Sequence, residues 1–158
     1  MEVFHMRVED VLTTTESKLN FLKGLIRIAK SDSVLAETEL NFYKQAAYSM
    51  GLTEGDIEIL NECWTSSEKI SFQFETSEEK MFFIVQAVQL CWIDDDYVEA
   101  ERIEMRRISN ELNISLKSLE KVEAWVEEGM KWNKKGDELL VKILYENGGE
   151  LKFSSEDN

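Results

Sequence analysis

An internal duplication is the feature of this sequence that most restricts its fold. When residues 21–60 are laid against residues 83–122, a shift of 62 positions, the apolar positions match and no gap is needed. Within each copy the apolar residues recur every three or four positions, which is the period of a helix that buries one face. Two copies are too few for a solenoid, so we expect them to pack face to face around a pseudo-twofold axis.

Both copies carry the same signal for a helix boundary. Residues 51–53 read Gly-Leu-Thr, and the equivalent residues 113–115 read Asn-Ile-Ser. Gly and Asn accept the backbone conformation that ends a helix, and Thr and Ser hydroxyls cap the start of the next one. Each repeat is therefore predicted to contain three helices.

The chain is predicted to be one all-α domain, residues 1–158, with about seven helices. Repeat one covers about residues 17–61, a linker covers 62–75, and repeat two covers about 76–132. Gly136 and the Asp that follows it are expected to start a separate last helix, about 137–147. The absence of proline and the low count of 7 glycines fit a helical protein.

The charge balance narrows the possible partners. The chain has 18 Lys and Arg against 32 Asp and Glu, for a net charge of −14. Such a field repels nucleic acid and anionic lipid surfaces and favours a cation or a basic protein partner. The most apolar stretch, residues 81–93, is too short to span a membrane, and no secretory leader is recognisable. We expect a cytoplasmic protein that binds another protein, with no nucleic acid and no membrane insertion; its oligomeric state stays open.

Few residues of catalytic chemistry are present. With His5 as the single histidine, neither a His-Cys zinc site nor a His-based triad can be assembled. Cys63 and Cys91 are expected to be buried, reduced thiols. The four tryptophans are expected in the core or in an interface. No enzyme is predicted.

One acidic pair recurs in the two copies. Asp32 lies just beyond the first helix of repeat one, with Glu39 seven positions later, and Asp94 and Glu101 repeat that spacing. The order helix, Asp, short loop, Glu, helix, Gly-Leu-Thr, helix resembles the TerB-like family of tellurite-resistance protein B and DjlA-type co-chaperones, over about residues 17–130.

The resemblance implies a bundle of duplicated three-helix units, a divalent-metal site at the corresponding acids, and a role in stress response or as an interaction module. The chain departs from the family pattern after each Asp, where Ser33 and Asp95 replace a glycine. It departs again at the capping position before each Glu, where Ala36 and Val98 stand.

Two interpretations of the acids remain open. If the two loops converge, Asp32, Glu39, Asp94 and Glu101 form a cluster that a divalent cation would stabilise, with Asp95 and Asp96 as additional ligands. Alternatively, the acids are helix caps and dipole partners, and the protein is an acidic helical scaffold without metal.

Overall fold

A computed structural model describes residues 7–32, 37–93 and 96–149. The described residues form seven helices and no strand, which confirms the all-α prediction. In chain order they are α1 (Val8–Val11), α2 (Thr15–Lys30), α3 (Glu37–Ser49), α4 (Glu54–Thr65), α5 (Ser77–Cys91), α6 (Glu99–Glu111) and α7 (Leu116–Glu146).

The helix boundaries repeat with the same shift as the sequence. α5 begins 62 residues after α2, α6 begins 62 residues after α3, and α7 begins 62 residues after α4. In each copy the first helix packs on the second and the third, and the two first helices, α2 and α5, also pack on each other. The two repeats therefore share the same order and the same packing of helices.

Equivalent caps set these boundaries. The hydroxyls of Thr14, Thr53, Thr76 and Ser115 each accept the backbone N–H three residues on, at 3.0–3.3 Å. Gly51 (φ +76°) and Asn113 (φ +57°) both adopt the left-handed conformation just after α3 and α6. Asn is one of the few residues that tolerates this conformation, which explains why it can stand where repeat one has Gly.

Phe83, at the centre of α5, joins the two repeats in one core. It is completely buried, and the ring of Phe21 from α2 meets it edge-on at 6.0 Å. From the connection between α4 and α5, Phe72 and Phe74 add rings 5.1 and 5.4 Å away. Gly24 of α2 faces the same ring, so α2 and α5 approach closely because this position has no Cβ.

The last helix differs from the prediction. α7 runs unbroken through Gly136, so the expected separate helix at about 137–147 is wrong. A single interior Gly costs a helix about 1 kcal/mol relative to Ala, which the 31-residue helix tolerates. None of the described helices combines the length and the apolar character needed to cross a bilayer.

Candidate functional site: an acidic pocket between the repeats

A pocket of about 470 Å³ lies where the two repeats meet. The C-terminal ends of α2 and α5 and the N-terminal ends of α3 and α6 surround it. Four pairs of lining residues are related by the 62-residue shift: Leu25 and Ala87, Ile28 and Leu90, Ala29 and Cys91, and Glu39 and Glu101. The duplication has therefore built one pocket from two equivalent halves.

The pocket brings together most of the predicted acids. Asp32, Glu39, Asp96 and Glu101 all line it. Asp94 and Asp95 lie outside the described residues. Convergence of the two acidic loops, which sequence spacing alone left open, is thus observed for the acids that the structure describes.

Glu101 is half-buried in the pocket, at the start of α6. Its Oε1 atom accepts the backbone N–H of Val98 at 3.2 Å, so it caps α6 although Val98 has no hydroxyl to complete the reciprocal bond. Its carboxylate also accepts a hydrogen bond from the Cys91 thiol. Burial raises the pKa of Glu101, and the charges of Asp32 and Asp96 raise it further. Glu101 is therefore both a cap and part of an electronegative group.

The acids of the pocket also affect the pKa values of two neutral side chains. The pKa of the Tyr43 hydroxyl is raised by burial and then by Glu39, and the pKa of the Cys91 thiol is raised by burial and then by Glu101. Cys91 therefore stays a thiol at neutral pH, whereas a nucleophilic cysteine needs a lowered pKa. Both cysteines are free, as predicted; Cys91 is buried and Cys63 is half-buried.

No sequence motif marks Tyr43 or Cys91 as a pocket residue. The position of Cys91 could have been inferred from the repeat. It is equivalent to Ala29 and lies one helical turn after Ala87, so it shares the face of α5 that lines the pocket. Tyr43 lies one turn after Glu39 and so shares its face of α3.

Apolar side chains form the floor and part of the rim. Leu25, Ala87 and Leu90 lie in the wall formed by α2 and α5, while Phe42 and Ile93 are exposed at the opening. Carboxylates above an apolar floor suit a ligand with a cationic head and a short apolar stem. They also suit hard cations, which prefer oxygen ligands.

A metal ion makes a stricter demand than a cationic group. Among the described residues, no three Asp, Glu, His or Cys side chains lie close enough together to hold an ion. The described carboxylates share a pocket and an electrostatic field, but they do not form a ready ligand set.

Comparisons with protein-family models, with curated proteins and with solved structures found no match. The resemblance to the TerB-like family therefore stays a hypothesis based on the motif and the duplication.

Proposed function

We propose that this protein is a non-enzymatic interaction module whose inter-repeat pocket takes up a lysine or arginine side chain of a basic partner. The observation that carries this proposal is the convergence of Asp32, Glu39, Asp96 and Glu101 on one pocket with an apolar floor. An ammonium or guanidinium group would meet the carboxylates, while its methylene stem would cover Leu25 and Leu90.

The energetic reason is charge relief. Burial, and then the charges of Asp32 and Asp96, raise the pKa of Glu101 and so oppose its ionisation. A cationic group removes that repulsion, and the net charge of −14 increases the rate at which a basic partner arrives. The wall of the pocket contains residues of both repeats, so an occupant would also stiffen their junction.

Fragments of basic side chains test this proposal directly. We expect n-butylammonium and n-butylguanidinium to shift the backbone NMR signals of Glu39, Cys91 and Glu101 in a saturable manner. Neutral 1-butanol tests the apolar floor alone and should produce much smaller shifts. Signals that move evenly over the whole acidic surface would contradict a specific pocket.

Two double variants with the same change of charge serve as test and control. Glu39→Gln with Glu101→Gln removes one repeat-related pair inside the pocket and should abolish saturable binding. Glu58→Gln with Glu120→Gln removes another repeat-related pair on exposed helix surfaces and should leave binding intact. Equal loss in both variants would show that general charge, rather than the pocket, attracts the cation.

A divalent cation is the second candidate occupant. The observation in its favour is that Asp32 and Asp96 line the same pocket as Glu101 and lie close enough to it to raise its pKa. Because the described acids do not form a ready ligand set, an ion would have to draw them together. Its role would then be the one that the family resemblance implies, in stress response or signalling, with the ion setting the geometry of a partner surface.

Thermal melts of chelator-stripped protein separate the two occupants. An ion present at 100 times its Kd would add about 2.7 kcal/mol, a rise in Tm of about 5–10 °C for a chain of this size. We would test Mg²⁺, Ca²⁺, Mn²⁺ and Zn²⁺ in turn, with the Asp32→Asn variant alongside. Unchanged melts for every ion, together with saturable n-butylammonium binding, would leave the interaction module as the sole reading.

A further inference from the structure

A regular stripe of large and small residues follows one face of α7. Its members recur at alternating intervals of four and three residues, which is the heptad spacing of a coiled-coil seam. They are Trp125, Gly129, Trp132, Gly136, Leu139 and Ile143. We call this set the α7 seam.

The large members of the seam are exposed to solvent. The exposed fractions are 42% for Trp125, 75% for Trp132, 56% for Leu139 and 44% for Ile143. A Cβ atom added at Gly129 or at Gly136 would meet no atom of the described chain within 4 Å. The tryptophans were expected in the core or in an interface; Trp64 is in the core, whereas Trp132 fits only the second alternative.

The second half of α7 has little support from the other residues that the structure describes. Met130 is the last residue of α7 among those that pack against the core. The 16 residues from there to Glu146 continue as helix with their side chains largely exposed. An isolated helix of that length is only marginally stable in water, so a partner that covers the seam would stabilise it.

We propose that the seam binds the same seam of a second copy of this chain, as an antiparallel pair with twofold symmetry. In the register that places Trp132 opposite Gly136, Leu139 faces Gly129 and Trp125 faces Ile143. Each glycine then provides the space that a large side chain of the other copy fills. A parallel pair would instead place tryptophan against tryptophan and glycine against glycine, leaving gaps between crowded layers.

Charge supports the same orientation. In the antiparallel register, Glu128 beside the seam of one copy faces Lys142 beside the seam of the other, and the symmetry forms this pair twice. In a parallel pair the two residues would be 14 positions apart, about 21 Å along the axis at 1.5 Å per residue. Only the antiparallel arrangement lets them interact.

The symmetry also brings one unfavourable contact. Lys135 lies beside the centre of the seam, so the two copies of this residue meet near the twofold axis. Substitution of Lys135 by a neutral residue should therefore tighten the dimer.

Solution mass measurements on the full chain test the proposal. By sedimentation equilibrium we expect a mass twice the 18.4 kDa of the chain, with dissociation on dilution. Gly136→Leu should return the protein to monomer, because the new side chain occupies the space needed by Trp132 of the second copy. The same change should leave the monomer folded and its helix content equal or higher, since the site is open and Gly is a poor helix former.

Charge variants then test the orientation. Glu128→Lys alone and Lys142→Glu alone should each weaken the dimer, and the double variant should restore it. Lys135→Gln should lower the dissociation constant, whereas Lys134→Gln, on the opposite face of α7, serves as the matched control and should not. A natural chain that is monomeric at every concentration, or a Gly136→Leu variant that stays dimeric, would overturn the proposal.

Discussion

The guanidinium of Arg27 donates to both carboxylate oxygens of Glu111, with N–O distances of 2.7 and 3.0 Å. Arg27 belongs to α2 of repeat one and Glu111 to α6 of repeat two. The same guanidinium donates through Nε to Glu104 at 2.6 Å, and Lys69 binds Glu111 from the outside at 2.7 Å. A charge network therefore joins the two repeats on a side of the domain that the acidic pocket does not use.

Replacement of Arg27 should lower the free energy of unfolding, because Glu104 and Glu111 would both lose the guanidinium that they bind. The side chain is 7% exposed, and Glu104 would lose its buried partner. Removal of one member of a buried pair costs about 3–5 kcal/mol, and we expect the lower end for Arg27→Ala because Glu111 reaches solvent. Urea unfolding measures this. Arg107→Ala, which removes an exposed partner of the same Glu104, should cost at most about 1 kcal/mol.

The network also predicts sensitivity to acid. Hydrogen bonds from Arg27, followed by those from Lys69, lower the pKa of Glu111 from 4.5 to about 2. The folded state therefore holds the ionised form more strongly than the unfolded state does. This contribution to stability is present above pH 4.5 and is lost as the pH falls toward 2.

Unfolding free energies measured from pH 7 to pH 2 test whether this contribution to stability is lost on acidification. Glu111→Gln should be less stable than the natural chain at pH 7, and the difference should narrow steadily below pH 4.5. Parallel curves over the whole range would show that Glu111 contributes nothing to the acid response.

Most helix boundaries and the positions of the candidate acids along the chain could be predicted because both depend on local signals. The capping hydroxyls, the left-handed residues Gly51 and Asn113, and the 62-residue shift are written in short stretches of sequence. The duplication then places equivalent acids at equivalent corners. Convergence of Glu39 and Glu101 on one pocket follows once the two repeats pack against each other.

Other features could not be predicted from the sequence because they depend on long-range packing. The pairing of Arg27 with Glu111 joins positions 84 residues apart and breaks the repeat, because Gln89 stands where the second copy would need an arginine. The continuity of α7 was not predicted for another reason: an Asp directly after Gly136 is typical of the start of a new helix. Propensity at one position was outweighed by good helix formers on both sides.

The ionised carboxylate of Glu101 should lower the stability of the folded protein. Since burial and the charges of Asp32 and Asp96 raise its pKa, the folded state favours the protonated form. Glu101→Gln keeps an oxygen acceptor for the N–H of Val98 but removes the charge, so it should raise Tm at pH 7. The gain should vanish as the pH falls below 4.5, where the carboxyl is protonated in both states.

The exposed Glu120→Gln variant controls for the lowered net charge. A rise in Tm of the same size in both variants would mean that general repulsion, not the pocket, is responsible. A cation that fills the pocket should reverse the order, because it stabilises the natural chain and not the Gln variant.

Gly24 should be irreplaceable for the contact between α2 and α5. A Cβ atom there would lie 2.5 Å from the ring of Phe83, which is completely buried and has Phe21 and Phe74 around it. Overpacking of this kind costs about 1–3 kcal/mol, whereas the gain in helix propensity from Gly to Ala is at most about 1 kcal/mol. Gly24→Ala should therefore lower stability.

Gly55 provides the matched substitution. It lies in the first turn of α4, is exposed, and a Cβ atom there would meet only the Thr53 hydroxyl at 3.7 Å. Gly55→Ala gains helix propensity without a clash and should raise stability by about 0.5–1 kcal/mol. Urea unfolding of both variants would give opposite signs if the ring of Phe83 sets the distance between the repeats. Equal gains would mean that Phe83 can move aside and that α2 and α5 are not in tight contact at Gly24.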